Sequence, residues 1–141
     1  MTSDILIVDD SAVIRQAVRK SLQMAGLDFG DVYEAGNGIQ ALAQLASHEV
    51  AVMLVDINMP RMNGIQLLTR MKQNRLLQHI PIVVVSTEGS DERVKELKQM
   101  GAFGFVRKPF KPEQLRDVLV PLLGVKKHAD TSSINADDSV F

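Results

Sequence analysis

Three unbroken apolar runs, each followed at once by acidic or hydroxyl residues, constrain the fold of this chain more than any other feature. Aliphatic runs without polar alternation are typical of strands that are buried on both faces, as in a parallel sheet. The runs are residues 5–8 followed by Asp9 and Asp10, residues 50–55 followed by Asp56, and residues 82–85 followed by Ser86 and Thr87. We therefore expect a parallel sheet with polar groups at its carboxyl edge.

Helical patterns separate these runs and complete an alternating order. Two weaker strand patterns lie at residues 32–35 and 103–108. Gly26 follows the first helical pattern and Pro112 begins the last, which are the positions these residues favour at helix ends and helix starts. The helical patterns cover residues 14–25, 39–46, 67–71, 91–100 and 113–123. The sequence predicts a doubly wound α/β fold with a five-stranded parallel sheet flanked by five helices.

The length and charge of the chain exclude several classes of protein. A chain of 141 residues has the length of one domain, which we place at residues 1–124, followed by a flexible polar C-terminal tail at residues 125–141. Lys and Arg total 16 against 17 Asp and Glu, so the basic excess that nucleic-acid binding requires is missing. The sequence has no cysteine, signal peptide or membrane-length apolar run. We expect a cytoplasmic protein that binds neither nucleic acid nor membrane directly.

Acidic, hydroxyl and ammonium groups follow or end four of the predicted strands. Ligands of open α/β sheets bind outside the carboxyl ends of the strands, so these groups would converge where a ligand is expected. Each group also has a plain structural interpretation, as a helix cap or as a solvated surface charge. The groups are Asp9, Asp10, Asp56, Ser86 and Lys108. Their coincidence at one edge favours a functional site over separate structural roles.

This set of groups is suited to phosphoryl chemistry. Clustered carboxylates raise one another's pKa unless a cation offsets their charge. An all-oxygen site with no His or Cys nearby favours a hard cation, and Mg²⁺ fits best because it binds through one or two carboxylates together with phosphate. A carboxylate can act as a covalent nucleophile and form an aspartyl-phosphate. Mg²⁺ and Lys108 would stabilise the transferring charge, and Ser86 would offer a hydroxyl to a phosphate oxygen.

Four segments, in order and with the expected spacing, resemble the receiver domain of two-component response regulators. They are residues 7–11, residues 54–60 with Gly64, residues 84–87 and residues 108–110. The resemblance spans residues 4–123 and is closest to single-domain regulators of the chemotaxis type. It implies a flavodoxin-like sheet with strand order 2-1-3-4-5. It also implies a cis peptide bond between Lys108 and Pro109.

The resemblance implies a role for each matching residue of the site. Asp56 would accept a phosphoryl group from the phosphohistidine of a sensor histidine kinase, and Lys108 would contact the phosphoryl oxygens. Asp10, Asp56 and the backbone carbonyl of Asn58 would ligate Mg²⁺ directly. Asp9 would act on the metal through water.

A second group of residues is implied to carry the signal. Ser86 would move towards the phosphoryl group and Phe105 would rotate, changing the surface formed by residues 91–100, 103–108 and 113–123. Position alone would make Phe105 an ordinary core aromatic. Phe105 stands where tyrosine or histidine is common, so it offers no hydroxyl. Thr87 is bulkier than the alanine common at its position, which predicts slower loss of the phosphoryl group.

Such a chain would be a signalling protein and would catalyse only its own phosphorylation and dephosphorylation. We expect a monomer that signals to a downstream target protein, in chemotaxis first and as a phosphorelay intermediate second. A phosphorylation-independent interaction domain remains an alternative. A haloacid-dehalogenase-like phosphatase would carry a second aspartate where Asn58 stands, and the phosphate-binding loop of nucleotide-binding proteins is missing from the sequence.

Overall fold

The computed structural model describes residues 3–126, in which five strands alternate with five helices. The strands are β1 (Ile5–Val8), β2 (Val32–Ala35), β3 (Val52–Val55), β4 (Ile82–Ser86) and β5 (Gly104–Arg107). The helices are α1 (Ala12–Met24), α2 (Gly38–Ser47), α3 (Gly64–Lys72), α4 (Asp91–Gln99) and α5 (Pro112–Leu123). The predicted alternation of strands and helices is confirmed.

The strands form one parallel sheet in the order β2-β1-β3-β4-β5, as the resemblance implies. The chain reverses its direction of travel across the sheet at β1, so the carboxyl ends of β1 and β3 border the crevice where ligands of such sheets bind. The register pairs Val8 of β1 with Val55 of β3. The residues that follow them, Asp9 and Asp56, therefore leave the sheet side by side.

Both faces of the sheet are buried, which explains why its strands are uninterrupted apolar runs. Alternate side chains of each strand enter opposite cores because successive residues of a strand point to opposite faces. Leu6 and Val8 pack in the core that α2, α3 and α4 cover, whereas Ile5 and Ile7 pack in the core under α1 and α5. Two cores, one on each face, hold the carboxyl ends of the strands in place.

Polar side chains fix the start of four helices immediately beyond the carboxyl edge of the sheet. Each accepts a hydrogen bond from a backbone N–H of the first helical turn, which would otherwise lack a partner. The capping residues are Ser11 for α1, Asn37 for α2, Asn63 for α3 and Ser90 for α4. The loops that carry the candidate site residues therefore run between a buried strand and a capped helix.

The C-terminal boundary of the folded domain differs from the prediction. Val125 forms an antiparallel bridge with Leu27, and the Lys126 N–H donates to the Gly26 carbonyl at 2.8 Å. The prediction places these two residues in the tail, but their backbone pairs with the segment after α1. Residues 127–141, the rest of the predicted tail, lie outside the described residues. Among the described helices, none is both long enough and apolar enough to cross a membrane.

Candidate functional site

The structure brings the predicted site residues together at the carboxyl edge of the sheet. Asp9 and Asp10 follow β1, Asp56 follows β3, Ser86 ends β4 and Lys108 follows β5. Each of the three aspartates has a carboxylate oxygen within 4.8 Å of the others'. The backbone ladder continues into the site, since the Asp56 N–H donates to Val8 and the Lys108 N–H donates to Ser86. The Lys108–Pro109 bond is cis, as expected.

Lys108 is the positive charge of this acidic cluster. Its Nζ lies 2.7 Å from Oδ2 of Asp9 and 3.6 Å from Oδ2 of Asp56. Only 13% of its side chain is exposed, so water screens these interactions much less than it would at the surface. The ammonium is thus held between two carboxylates, and it contacts Asp9 more closely than the predicted phosphoacceptor.

Asp56 is buried and has a perturbed pKa. Burial raises the pKa of this carboxyl above its ordinary value, and the nearby charge of Asp9 raises it further. Lys108 opposes the rise in pKa, and so do the Ser86 hydroxyl and the Asn58 backbone N–H. The effect of burial is the largest of these, so the pKa of Asp56 is raised and its ionised form is costly in the folded protein. A further cation beside this carboxylate would therefore bind favourably.

This perturbation predicts that Asp56→Asn stabilises the metal-free protein at neutral pH. A carboxyl whose pKa is raised by folding costs stability above its folded-state pKa, and that cost disappears below its unfolded-state value. We expect urea unfolding at pH 7 in EDTA to show a gain on the order of 1 kcal/mol. The gain should vanish as the pH falls below the ordinary aspartate pKa of 3.8. If Asp56→Asn is less stable than the parent chain at pH 7, the raised pKa of Asp56 is refuted.

The loop after β3 holds Asp56 and Asn58 in position through close backbone contacts. The Gly64 N–H donates to the Ile57 carbonyl at 2.9 Å, and the Gly38 N–H donates to the Met62 carbonyl at the same distance. A Cβ on Gly64 would lie 2.4 Å from the Asp56 carbonyl oxygen. Only glycine permits this approach, which explains its presence in the segment that carries the resemblance.

The predicted switch residues lie around the loop between β4 and α4. Ser86 is fully buried, and its Oγ accepts a hydrogen bond from the Glu88 N–H at 3.2 Å. Thr87 is exposed, whereas Phe105 is half-buried beneath the loop and its ring approaches Gly89. The Arg107 guanidinium also donates to the Gly89 carbonyl. This loop is therefore held from below by two residues of β5.

Part of the alternative structural interpretation also holds. The Ser11 Oγ caps α1 by accepting from the Ile14 N–H, and the Asp9 Oδ1 accepts from the Ser11 N–H. Asp10 contributes to neither contact, and its side chain is exposed. Helix capping thus accounts for Ser11 and one oxygen of Asp9, but not for the cluster of three carboxylates with a buried lysine.

Three polar residues around the site were not predicted from the sequence. Arg107 contacts the loop between β4 and α4, and Arg15 of α1 contacts both the Asp9 backbone and Glu34 of β2. A single charged residue at the end of a strand or on a polar helix face has no distinctive pattern. Glu34 could have been identified from the sequence as a charged residue in a predicted strand whose other residues are largely apolar.

The fold and this cluster define a class of protein, and comparison with known proteins agrees. Residues 5–120 match the family model described as the response regulator receiver domain, so the chain belongs to that family. It is 36% identical over 121 residues to a chemotaxis protein CheY homolog of Campylobacter jejuni, covering 85% of this chain and 92% of the relative. It is 34% identical to chemotaxis protein CheY1 of Helicobacter pylori, covering 85% of this chain and 96% of the relative.

Solved structures give the same result for the fold. The structure of the chemotaxis protein CheY4 of Vibrio cholerae superposes with a TM-score of 0.76 at 36% sequence identity. That alignment covers 87% of this chain and all of CheY4. The chain thus contains a receiver domain and is similar over 85–87% of its length to these chemotaxis proteins.

Proposed function

We propose that this protein is a phosphorylation-dependent response regulator that accepts a phosphoryl group on Asp56 from a sensor histidine kinase. The observation that carries the proposal is the buried Asp56 carboxylate beside two further carboxylates and the Lys108 ammonium. This arrangement provides a nucleophile, oxygen ligands for a hard cation and a fixed positive charge within one site. The similarity to chemotaxis regulators suggests the same pathway for this chain.

The acidic cluster is suited to Mg²⁺ because all of its donors are oxygens and one carboxylate carries a raised pKa. Asp10, Asp56 and the Asn58 carbonyl would hold the ion, with Asp9 acting through water. When bound, Mg²⁺ supplies positive charge that offsets the carboxylates and the phosphoryl oxygens.

The residues of the chain then perform the transfer. A carboxylate oxygen of Asp56 attacks phosphorus, the bond from phosphorus to the kinase histidine nitrogen breaks, and that nitrogen retains the electron pair. Lys108 stabilises the negative charge on the phosphoryl oxygens, and Ser86 donates its hydroxyl to one of them. Water then attacks phosphorus, the bond from phosphorus to the Asp56 oxygen breaks, and inorganic phosphate leaves, which restores the Asp56 carboxylate. In this proposal the protein catalyses only its own phosphorylation and dephosphorylation. Thr87 would slow this hydrolysis by crowding the attacking water.

The test is phosphoryl uptake from acetyl phosphate with Mg²⁺ or with EDTA, for the parent chain and Asp10→Ala. The parent chain should incorporate phosphate only with Mg²⁺. Asp10→Ala should lower uptake roughly 100-fold because the metal contributes several kcal/mol to phosphoryl transfer. Its folding should be intact, since Asp10 is exposed. Normal uptake by Asp10→Ala in Mg²⁺ would show that the metal assignment is wrong, and no uptake by the parent chain would favour a phosphorylation-independent interaction domain.

We place the protein in the cytoplasm as a monomer that signals through contact with a downstream protein. The proposed output face consists of α4, β5 and α5. Its support is geometric, because Ser86 ends β4 and Lys108 follows β5, and these strands lie beside α4 and α5. Phe105 and Arg107 belong to β5 of this face, and both approach the loop that carries Gly89.

We expect beryllofluoride with Mg²⁺, which mimics a bound phosphoryl group, to shift amide and methyl NMR signals across this output face. Phe105 cannot form a hydroxyl hydrogen bond, so a partial shift between two states is expected rather than a complete one. Asp56→Asn is the matched control and should show no shifts. Shifts confined to the immediate surroundings of Asp56, with Phe105 and α4 unchanged, would exclude this output face.

A further inference from the structure

A partly buried ion cluster outside the phosphoacceptor site connects β2 to the loop that carries Asp9 and Asp10. Arg15 and Arg19, one turn apart on α1, both bind the carboxylate of Glu34. The Arg15 Nε lies 2.8 Å from Glu34 Oε1, and an Arg19 terminal nitrogen lies 2.6 Å from Oε2. The two arginines hold the pKa of Glu34 below its ordinary value, Arg19 more strongly, in spite of burial. Glu34 therefore stays ionised and fixes both guanidinium groups.

The two arginines differ in their second partner. Arg15 donates from a terminal nitrogen to the Asp9 backbone carbonyl at 2.6 Å. Arg19 donates to the Val32 carbonyl in β2 at 3.3 Å, away from the site. The Asp9 carbonyl belongs to the peptide group that joins Asp9 to Asp10. Arg15 thus holds the peptide plane between two of the three clustered carboxylates.

That peptide plane matters because of how Asp10 is held. Asp9 is fixed by its own side chain, which binds Lys108 and the Ser11 N–H. Within residues 3–126, the Asp10 carboxylate has neither a hydrogen-bond nor an ion-pair partner, and the side chain is exposed. The direction in which Asp10 points is therefore set by its backbone, and the Asp9–Asp10 peptide is the part of that backbone that Arg15 binds.

We propose that Arg15 is a positioning residue for the metal site, which it orients through the Asp9 carbonyl while Glu34 anchors its guanidinium. The inference rests on the proposed function, since it assumes that Asp10 is a metal ligand. Groups that orient metal ligands without touching the metal commonly contribute 10- to 100-fold to metal affinity. Arginine is suited to this role because its planar fork donates in two directions at once.

A positioning role and a purely electrostatic role predict opposite effects on metal affinity. Arg15 is a cation close to a site for another cation, so removal of its charge alone would strengthen metal binding. Loss of positioning would weaken metal binding. Arg19 provides the matched control because it carries the same charge and binds the same carboxylate, but does not contact the Asp9–Asp10 peptide.

The experiment is a titration of Mn²⁺ into the full chain, in which the electron paramagnetic resonance signal measures the concentration of free Mn²⁺. The variants are Arg15→Gln, Arg15→Lys and Arg19→Gln. We expect Arg15→Gln to weaken Mn²⁺ binding about 10-fold or more, and Arg19→Gln to change it less than about 2-fold. Arg15→Lys keeps the charge but replaces a planar fork that donates from two nitrogens with a single ammonium nitrogen, so it should also weaken binding. This variant keeps the test valid if Arg15→Gln does not fold.

Each outcome has a distinct meaning. Unchanged or stronger Mn²⁺ binding in Arg15→Gln, or Arg15→Lys that binds Mn²⁺ as the parent chain does, overturns the positioning role while the proposed function stands. Equal weakening in Arg15→Gln and Arg19→Gln also overturns it, because both then act through general stability. A parent chain that binds no Mn²⁺ overturns the proposed function, and the role of Arg15 falls with it.

Discussion

Asp56→Asn is expected to lower phosphoryl uptake from acetyl phosphate and Mg²⁺ by more than about 1,000-fold, because an amide is not a competent nucleophile. The substitution keeps the size of the side chain, and removal of a buried charge should not unfold the domain. The matched control is Asp28→Asn, which changes an exposed aspartate between α1 and β2 at the opposite edge of the sheet. That control should incorporate phosphate at the rate of the parent chain.

The result that would contradict this expectation is substantial uptake by Asp56→Asn with the same stoichiometry as the parent chain. It would mean that another carboxylate of the cluster is the acceptor. Asp9 is the next candidate by burial, but the Lys108 ammonium and the Ser11 N–H already occupy its oxygens.

Gly64→Ala is expected to lower the free energy of unfolding by about 3 kcal/mol, at the upper end of overpacking effects. Its new Cβ would lie 2.4 Å from the Asp56 carbonyl oxygen and 2.9 Å from the Ile57 Cα. Both are backbone atoms, so the clash cannot be relieved by a change of side-chain rotamer. Because the loop must move, phosphoryl uptake should fall as well.

Gly26→Ala is the matched control for Gly64→Ala in urea unfolding. Gly26 has a φ of 69°, and no atom lies within 4 Å of an added Cβ. In this variant the strain of a left-handed alanine should lower the free energy of unfolding by only about 1–2 kcal/mol. Phosphoryl uptake should not change. Equal losses of stability and activity in the two variants would show that the close approach at Gly64 is unimportant.

The fold was predictable because burial on both faces of the sheet leaves a clear pattern in the sequence. Residues 5–8 and 82–85 have no polar interruption, and the polar residues that follow mark the carboxyl edge. Strand ends were less predictable: β3 begins at Val52 rather than at residue 50, and β5 covers Gly104–Arg107 rather than residues 103–108. At β3 the apolar run continues beyond the paired backbone, so the pattern overstates the length of that strand.

The candidate site was predictable as a set of residues but not as a set of contacts. The residues at four strand ends predict which groups meet, because the carboxyl ends of parallel strands lie at the same edge of the sheet. They do not predict that Lys108 lies closer to Asp9 than to Asp56, because this depends on side-chain direction. The contact between Arg15 and Glu34 joins residues 19 positions apart through the packing of α1 on the sheet, which the sequence pattern does not specify.

The most direct test of the account is to locate the phosphoryl group itself. The full chain would be treated with acetyl phosphate and Mg²⁺, reduced with borohydride to convert an aspartyl-phosphate to homoserine, and digested for peptide mass spectrometry. The account predicts homoserine at position 56 alone, and none when EDTA replaces Mg²⁺. Homoserine at another carboxylate, or conversion at position 56 that is unaffected by EDTA, would contradict it.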